Sequence, residues 1–206
     1  WRHREARAVA AEYERKFTAE RIDDVGDARD ARHVDGLVAV LLDGARQVLL
    51  HGLGERSPAR APAELESWPG PILALDFTGH GRSSVPRGGG YTSEILIGDV
   101  DAALARVGHA TLVGRGLGAY IALLCAGARP RLVRGAILLD GPGLAGGSAR
   151  PGTPLIPMPD PNAVTPPDPF ALVELASDVR PPDYATSFVR QATHLSGLER
   201  PISICT

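Results

Sequence analysis

Three glycine-rich turns stand where reactive side chains or bound phosphates could be positioned. They read "HGLGE" at 51–55, "DFTGHGRSS" at 76–84 and "GRGLG" at 114–118. Each turn follows a predicted strand, and open parallel sheets place their ligand crevice at the carboxyl ends of the strands. A turn like the third can carry a nucleophile at its centre, or its glycines can approach a pyrophosphate. Its central residue is Gly116, which offers no side-chain atom able to form a bond.

The order and wording of the three turns resemble the α/β-hydrolase superfamily over roughly residues 35–206. The family shows His-Gly, then Asp-x-x-Gly-x-Gly-x-Ser, then a Gly-x-Ser-x-Gly nucleophile elbow. The matching residues here are His51-Gly52, Asp76 through Ser83, and Gly114 through Gly118. The resemblance implies an α/β fold with a doubly wound, mostly parallel sheet. It also implies that Gly116 occupies the position of the nucleophilic serine.

The resemblance assigns roles to residues around this elbow, by which we mean residues 114–118. The backbone N–H of Leu117 and an N–H near Gly52 and Leu53 would hold an oxyanion or a ligand oxygen. Asp140, at the end of a predicted strand, is the candidate acid. The family's catalytic histidine lies later still, and the only histidine after the elbow is His194. We expect His194 to be a surface or packing residue in a helix.

Other polar side chains near the turns have simpler structural roles. We expect Asp76 to accept backbone N–H groups within its tight turn, as carboxylates at such positions commonly do. In the resembled family His51 and His80 would shape loops near the pocket. The serines at 83–84 have no acid or base obviously beside them. Cys125 lies within a predicted helix and is expected to be a small core residue.

The resemblance implies hydrolysis of an ester or related bond in a small apolar substrate. Without the nucleophilic serine and the later histidine, we expect the chain as given to be inactive. Two explanations stay open. The chain is a natural non-catalytic relative, similar to the N-myc downstream-regulated family with its Gly-x-Gly-x-Gly elbow, or it is an altered or incomplete copy of a working hydrolase. A non-catalytic module that binds a small ligand or a protein is the alternative.

A different class also fits part of the sequence. Gly114-x-Gly116-x-x-Ala119 between a strand and a helix, with Asp140 after the next strand, satisfies the fingerprint of a dinucleotide-binding Rossmann domain. The glycines would approach the pyrophosphate and the acid would bind a ribose hydroxyl. Such a domain does not explain the two earlier turns, so this alternative is the weaker one.

The elements that would position these turns follow from apolar periodicity and turn signals. Residues 37–42 and 47–50 flank Asp43-Gly44 and are predicted to form a hairpin. Further strands are predicted at 71–76, 110–114, 135–140 and 201–205. Helices are predicted at 59–67, 93–107, 117–128 and 184–196. Continuous apolar strands alternating with helices favour a mostly parallel sheet with both faces covered. Because the sequence ends just after 201–205, we expect the sheet to lack the family's last strands.

Two segments stand outside this alternation. Residues 1–30 are predicted to be a helical extension, with Val9, Tyr13 and Phe17 as an apolar stripe on the helix at 5–22 that could mediate homo-oligomer formation. Residues 151–170 contain eight prolines, which oppose regular helix and central strand. The domain at 31–206 is therefore expected to carry a Pro-rich cap or insertion at about 141–196.

Composition limits the partners. The chain has 206 residues, 44% of them hydrophobic, and a net charge of −2, so nucleic acid is not expected to bind. It has two cysteines without metal-ligand spacing, which favours a reducing cytoplasm and predicts neither a disulfide framework nor a metal site. No apolar stretch approaches the roughly 20 residues that cross a bilayer. We expect a small-molecule ligand or substrate, no membrane contact and no cofactor.

Overall fold

The computed structural model describes residues 31–34, 37–40, 46–65, 67–68, 70–145, 165–177, 180–181 and 183–205. Five parallel strands form one sheet: β3 (Gln47–Leu50), β4 (Ile72–Leu75), β5 (Ala110–Arg115), β6 (Val133–Leu139) and β7 (Ile202–Cys205). Their order in the sheet is β4-β3-β5-β6-β7. Two further strands, β1 (Ala31–Val34) and β2 (Leu37–Val40), pair antiparallel with each other. The predicted α/β architecture with a mostly parallel sheet is confirmed.

In the described ranges four α-helices accompany the sheet: α1 (Ser93–Val107), α2 (Leu117–Ala128), α3 (Pro169–Glu174) and α4 (Asp183–Leu195). The N-cap of helix α1 is Thr92, whose side chain accepts a hydrogen bond from the Ile95 N–H. Its C-cap is Gly108, which has a positive φ of 77°. Helix α2 packs against β5 and β6 on one side and α4 on the other. Its apolar composition reflects this burial on several sides.

The core lies mainly between the sheet and these helices. Val48 and Leu50 of β3 are buried on that face, and the residue between them, Leu49, belongs to a smaller cluster on the opposite face with Ala74 and Val113. Alternate residues of a strand point to opposite faces, so a central strand with apolar residues on both sides is buried throughout. This explains why residues 48–50 of β3 form a continuous apolar run.

Most predicted elements are confirmed. Helices at 93–107 and 117–128 have the predicted bounds, the helix at 184–196 is observed as Asp183–Leu195, and four predicted strands are observed as β4 to β7. The predicted helix at 59–67 is wrong, since the described part of this range holds only a 3₁₀ turn at Ala63–Leu65. Pro58 and Pro62 bracket the range's first turn, and proline removes a backbone donor and disfavours helix in the residue before it.

The predicted hairpin of 37–42 with 47–50 is also wrong. Strand β3 pairs in parallel with β4 on one side and β5 on the other, so it has no free edge for an antiparallel neighbour. Leu37–Val40 pairs instead with Ala31–Val34. The predicted turn at 43–44, the extension at 1–30 with its helix at 5–22, and positions 146–164 of the Pro-rich segment lie outside the described residues. No helix in the described part of the chain is long and apolar enough to cross a membrane.

Candidate active site

The elbow at residues 114–118 turns the chain from β5 directly into α2. Gly116 has φ 54° and ψ −117°, a backbone conformation that L side chains rarely adopt. A Cβ on Gly114 would lie 2.2 Å from the Gly118 carbonyl oxygen, and one on Gly118 would lie 2.2 Å from the Leu50 carbonyl oxygen. All three glycines are therefore required by close backbone approach or by a strained turn.

Two backbone N–H groups converge on one oxygen beside this elbow. The Leu53 N–H and the Leu117 N–H donate to the Pro142 carbonyl oxygen, with N···O distances of 2.8 and 2.9 Å. These are the donors that the resemblance implies for an oxyanion or ligand oxygen. We call them the amide pair. The oxygen that accepts both hydrogen bonds is a main-chain oxygen of the chain itself, in the turn that follows β6.

The Pro142 carbonyl also lies against the nucleophile position. A Cβ on Gly116 would be 1.9 Å from this oxygen, and one on Gly52 would be 2.8 Å from it. A serine at 116 and the Pro142 carbonyl in its present position therefore exclude each other. The sequence analysis did not identify Pro142, and no motif in the sequence distinguishes it from the other prolines that follow.

His51 is buried and holds two turns together. Its Nδ1 lies 2.8 Å from the Gly52 carbonyl oxygen, and its Nε2 accepts the Phe77 N–H at 3.0 Å. One nitrogen donating and the other accepting describes a neutral ring with the proton on Nδ1. Burial lowers the pKa of His51, because the charged ring loses its hydration. This ring ties the His-Gly turn to the turn after β4.

His80 makes a second, similar connection. It is fully buried, its Nε2 accepts the Gly54 N–H at 3.2 Å, and its Nδ1 lies 3.3 Å from the Thr78 carbonyl oxygen. Burial, followed by the neighbouring His51, lowers the pKa of His80 to about 4. The two ring centroids are 5.0 Å apart. Both histidines shape loops, as the sequence analysis predicted.

Asp76 organises the turn after β4. Its buried carboxylate accepts the Ser57 N–H at 2.6 Å and the Arg82 N–H at 3.0 Å. The prediction that it accepts backbone N–H groups is confirmed. Ser83 donates its hydroxyl to the Asp76 carbonyl oxygen at 2.5 Å, so this hydroxyl is occupied in the turn.

The candidate acid Asp140 lies at the carboxyl end of β6 and is exposed. Its Oδ1 accepts the Gly141 N–H at 2.8 Å, and its main-chain oxygen lies 3.5 Å from Arg115 Nε. Of the described histidines from residue 46 onward, His51 and His80 are buried in the loop contacts above, while His109 and His194 are exposed. His194 is therefore a surface residue, as predicted. That His194 takes no part in chemistry stays a prediction. The role of Asp140 as the candidate acid also stays a prediction.

An ion pair beside the elbow was missed by the sequence analysis. Glu55 Oε2 accepts the Gly52 N–H at 3.0 Å, and Glu55 Oε1 pairs with Arg115 Nη1 at 2.6 Å. The pair joins the His-Gly turn to Arg115 of the elbow. An acid three residues after Gly52 is the sequence signal that could have indicated this contact.

Cys125 is the other nucleophilic side chain weighed from the sequence. It is fully buried in α2, and burial raises the pKa of its thiol. The prediction that it is a small core residue is confirmed. Among the described residues, no group of three His, Cys, Asp or Glu side chains could hold a metal ion.

Two grooves open near these turns. One, of about 890 Å³, is lined mainly by apolar side chains of the sheet, among them Leu49, Val113 and Ile137, with the Glu55–Arg115 pair at its wall. The other, of about 710 Å³, is more polar. It is lined by Asp76, Ser57, Arg82 and the proline pair at 166–167, among others. The lining of neither groove includes Gly116 or Leu117.

The chain matches a known protein family over most of its length. Residues 47–202 match a family model described as the alpha/beta hydrolase family. No curated protein matches the chain.

Solved structures match shorter parts of the chain. An enol-lactonase from Burkholderia xenovorans LB400 is 28% identical over 47% of this chain and 38% of its own, with a TM-score of 0.43. E-2-(acetamidomethylene)succinate hydrolase is 30% identical over 49% of this chain and 38% of its own, with a TM-score of 0.43. An N-acyl homoserine lactone degrading enzyme is 27% identical over 57% of this chain and 47% of its own, also with a TM-score of 0.43. The chain spans less than half the length of each of these structures.

Proposed function

Because the chain belongs to the alpha/beta hydrolase family, we propose that it is a non-catalytic member, whose parent chemistry is hydrolysis of an ester or related bond in a small apolar substrate. In that chemistry a hydroxyl at the elbow attacks a carbonyl carbon while amide groups hold the resulting oxyanion. The observation that carries the proposal is Gly116. It offers no hydroxyl, and the space its Cβ would need holds the Pro142 carbonyl oxygen.

Loss of the nucleophile leaves only weaker contributions to rate. In triad knock-outs of serine proteases, the remaining oxyanion and binding contributions amount to about 10³ to 10⁴ over water. Here the amide pair already donates to Pro142. We therefore expect less than this residual rate from the chain.

Binding without turnover is the second candidate function. The apolar groove of about 890 Å³ favours it, because pockets for small ligands are mostly apolar with a few polar groups at the edge. The Glu55–Arg115 pair supplies such polar groups. No comparable observation supports a dinucleotide site. The chain belongs to the alpha/beta hydrolase family, and the Pro142 carbonyl lies against the elbow, where a pyrophosphate would have to bind. We further propose a cytoplasmic location, for which the free thiols of Cys125 and Cys205 are the supporting observation.

Ester hydrolysis and covalent labelling test the proposal. Purified 206-residue chain is assayed with p-nitrophenyl butyrate and with a fluorophosphonate probe, beside a working esterase as positive control. We expect no turnover above background and no labelling. Gly116→Ser is expected to remain inactive, because its side chain would clash with the Pro142 carbonyl oxygen. Rapid turnover or stoichiometric labelling of the unaltered chain would contradict the proposal, and Ser83→Ala would then show whether Ser83 carries the label.

A further inference from the structure

We propose that the segment 141–143 is an internal ligand of the amide pair and closes it to external carbonyl and carboxylate ligands. The inference rests on the proposed function, because it concerns the site in which the parent chemistry would hold an oxyanion. It adds that this site is occupied by the chain's own backbone. It also gives Gly116 a role of its own, as the residue that makes room for that backbone.

The contact has the chemistry of a bound acyl group. Both donors belong to buried residues on different turns, Leu53 after β3 and Leu117 after β5, and both reach the same peptide carbonyl within 2.9 Å. A peptide carbonyl and the carbonyl of an ester or amide ligand present the same acceptor. The first turn of the twelve-residue helix α2 adds a partial positive charge at this point, which favours an oxygen acceptor.

The segment fits too closely for an external ligand to share the site. A Cβ on Gly143 would lie 2.8 Å from the Leu117 nitrogen, and one on Gly141 would lie 2.8 Å from Arg115 Nε. Real Cβ atoms essentially never lie this close to another heavy atom. The backbone of 141–143 therefore lies directly on the elbow. A ligand oxygen can reach the amide pair only after this backbone leaves.

Competition follows from this geometry. The apparent affinity for an external carboxylate equals its intrinsic affinity multiplied by the fraction of molecules in which the segment is displaced. A change that displaces the segment should therefore reveal binding that the unaltered chain lacks. Gly116→Ala is such a change, because its Cβ would be 1.9 Å from the Pro142 oxygen.

A matched control separates displacement from backbone strain. Gly197 also has a positive φ, 70° against 54° at Gly116, but a Cβ there meets nothing within 4 Å. Gly197→Ala therefore places a methyl group at a positive φ without touching the segment. Should Gly116→Ala fail to fold, Gly143→Ala takes its place, because its Cβ meets the Leu117 nitrogen without a positive φ.

Nuclear magnetic resonance measures the contact directly. In the unaltered chain we expect scalar couplings across both hydrogen bonds, from the amide nitrogens of Leu53 and Leu117 to the carbonyl carbon of Pro142. In Gly116→Ala both couplings should disappear, and hydrogen exchange of the two amides should accelerate together by about tenfold or more. In Gly197→Ala both should be unchanged. Millimolar butyrate should shift the two amide resonances in the displaced variant only.

Each alternative result overturns the inference. Couplings absent from the unaltered chain would show that Pro142 is not bound there. Couplings retained in a folded Gly116→Ala or Gly143→Ala variant, or equal butyrate shifts with and without the substitution, would show that the segment does not close the site. Failure of the inference is distinct from failure of the proposed function, which is decided by turnover and labelling of the unaltered chain.

Discussion

Lowering the pH from 7 to 5 is expected to destabilise the fold through His80. The ring is fully buried, and burial together with His51 lowers its pKa from 6.5 to about 4. In the unfolded chain the ring regains its ordinary pKa. The unfolded state therefore binds the proton first as the pH falls. The stabilising contribution of neutral His80 is fully present above pH 6.5 and is lost as the pH falls towards 4.

The magnitude follows from the two pKa values. One pKa unit corresponds to about 1.4 kcal/mol, so a shift of this size removes roughly 3 kcal/mol over the whole window. Between pH 7 and 5 the share of His80 is about 2 kcal/mol, since most of the unfolded chains are protonated by pH 5.5 while the folded ring stays neutral. His51, whose pKa is also lowered by burial, acts in the same direction.

Urea unfolding at pH 7, 6 and 5 measures this loss as a fall in the free energy of unfolding. His80→Gln should be less stable than the unaltered chain at pH 7, but its loss between pH 7 and 5 should be smaller by about 2 kcal/mol. His194→Gln, which changes an exposed ring, should leave the pH dependence as it was. A loss below about 0.5 kcal/mol in the unaltered chain, or an undiminished loss in His80→Gln, would refute the reasoning.

Two further substitutions test the contacts around the turns. Asp76→Ala is expected to cost about 3 kcal/mol in urea unfolding, because the buried Ser57 N–H and the part-buried Arg82 N–H lose a charged acceptor. The exposed control Asp183→Ala should cost about 0.5 kcal/mol or less, and similar costs would contradict the assigned contacts. Tyr91→Phe is expected to cost about 2 kcal/mol, because the buried Tyr91 hydroxyl donates to Asp168 at 2.5 Å. The control is Tyr184→Phe, because the Tyr184 hydroxyl lies 3.4 Å from Glu94 at the surface. An equal loss of stability in both variants would count against the contact with Asp168.

The sheet and its main helices could be predicted because their signals are local. The apolar run at 110–114 and the periodicity of 93–107 depend only on neighbours in sequence, and the structure has both elements where they were expected. The hairpin failed because pairing is not local. An Asp-Gly pair favours a turn, yet β3 gains more by pairing on both edges within a buried parallel sheet than by pairing with the strand next to it in sequence.

In the candidate site, too, some features could be predicted from the sequence and others could not. The turns at 51–55, 76–84 and 114–118 could be assigned from glycine spacing, since close backbone approach leaves glycine as the only residue that fits. The position of Pro142 could not be assigned. A main-chain carbonyl carries no residue type, so nothing in the sequence distinguishes one that accepts two distant N–H groups from one that faces water.

His51, Asp76 and His80 belong to the hydrolase signature, and each has a structural role that does not depend on hydrolysis. Each side chain joins loops through backbone hydrogen bonds, so replacing it would harm folding whether or not a reaction takes place. Under the proposed function, position 116 and the turn after β6, rather than these three residues, distinguish a non-catalytic chain from a working hydrolase.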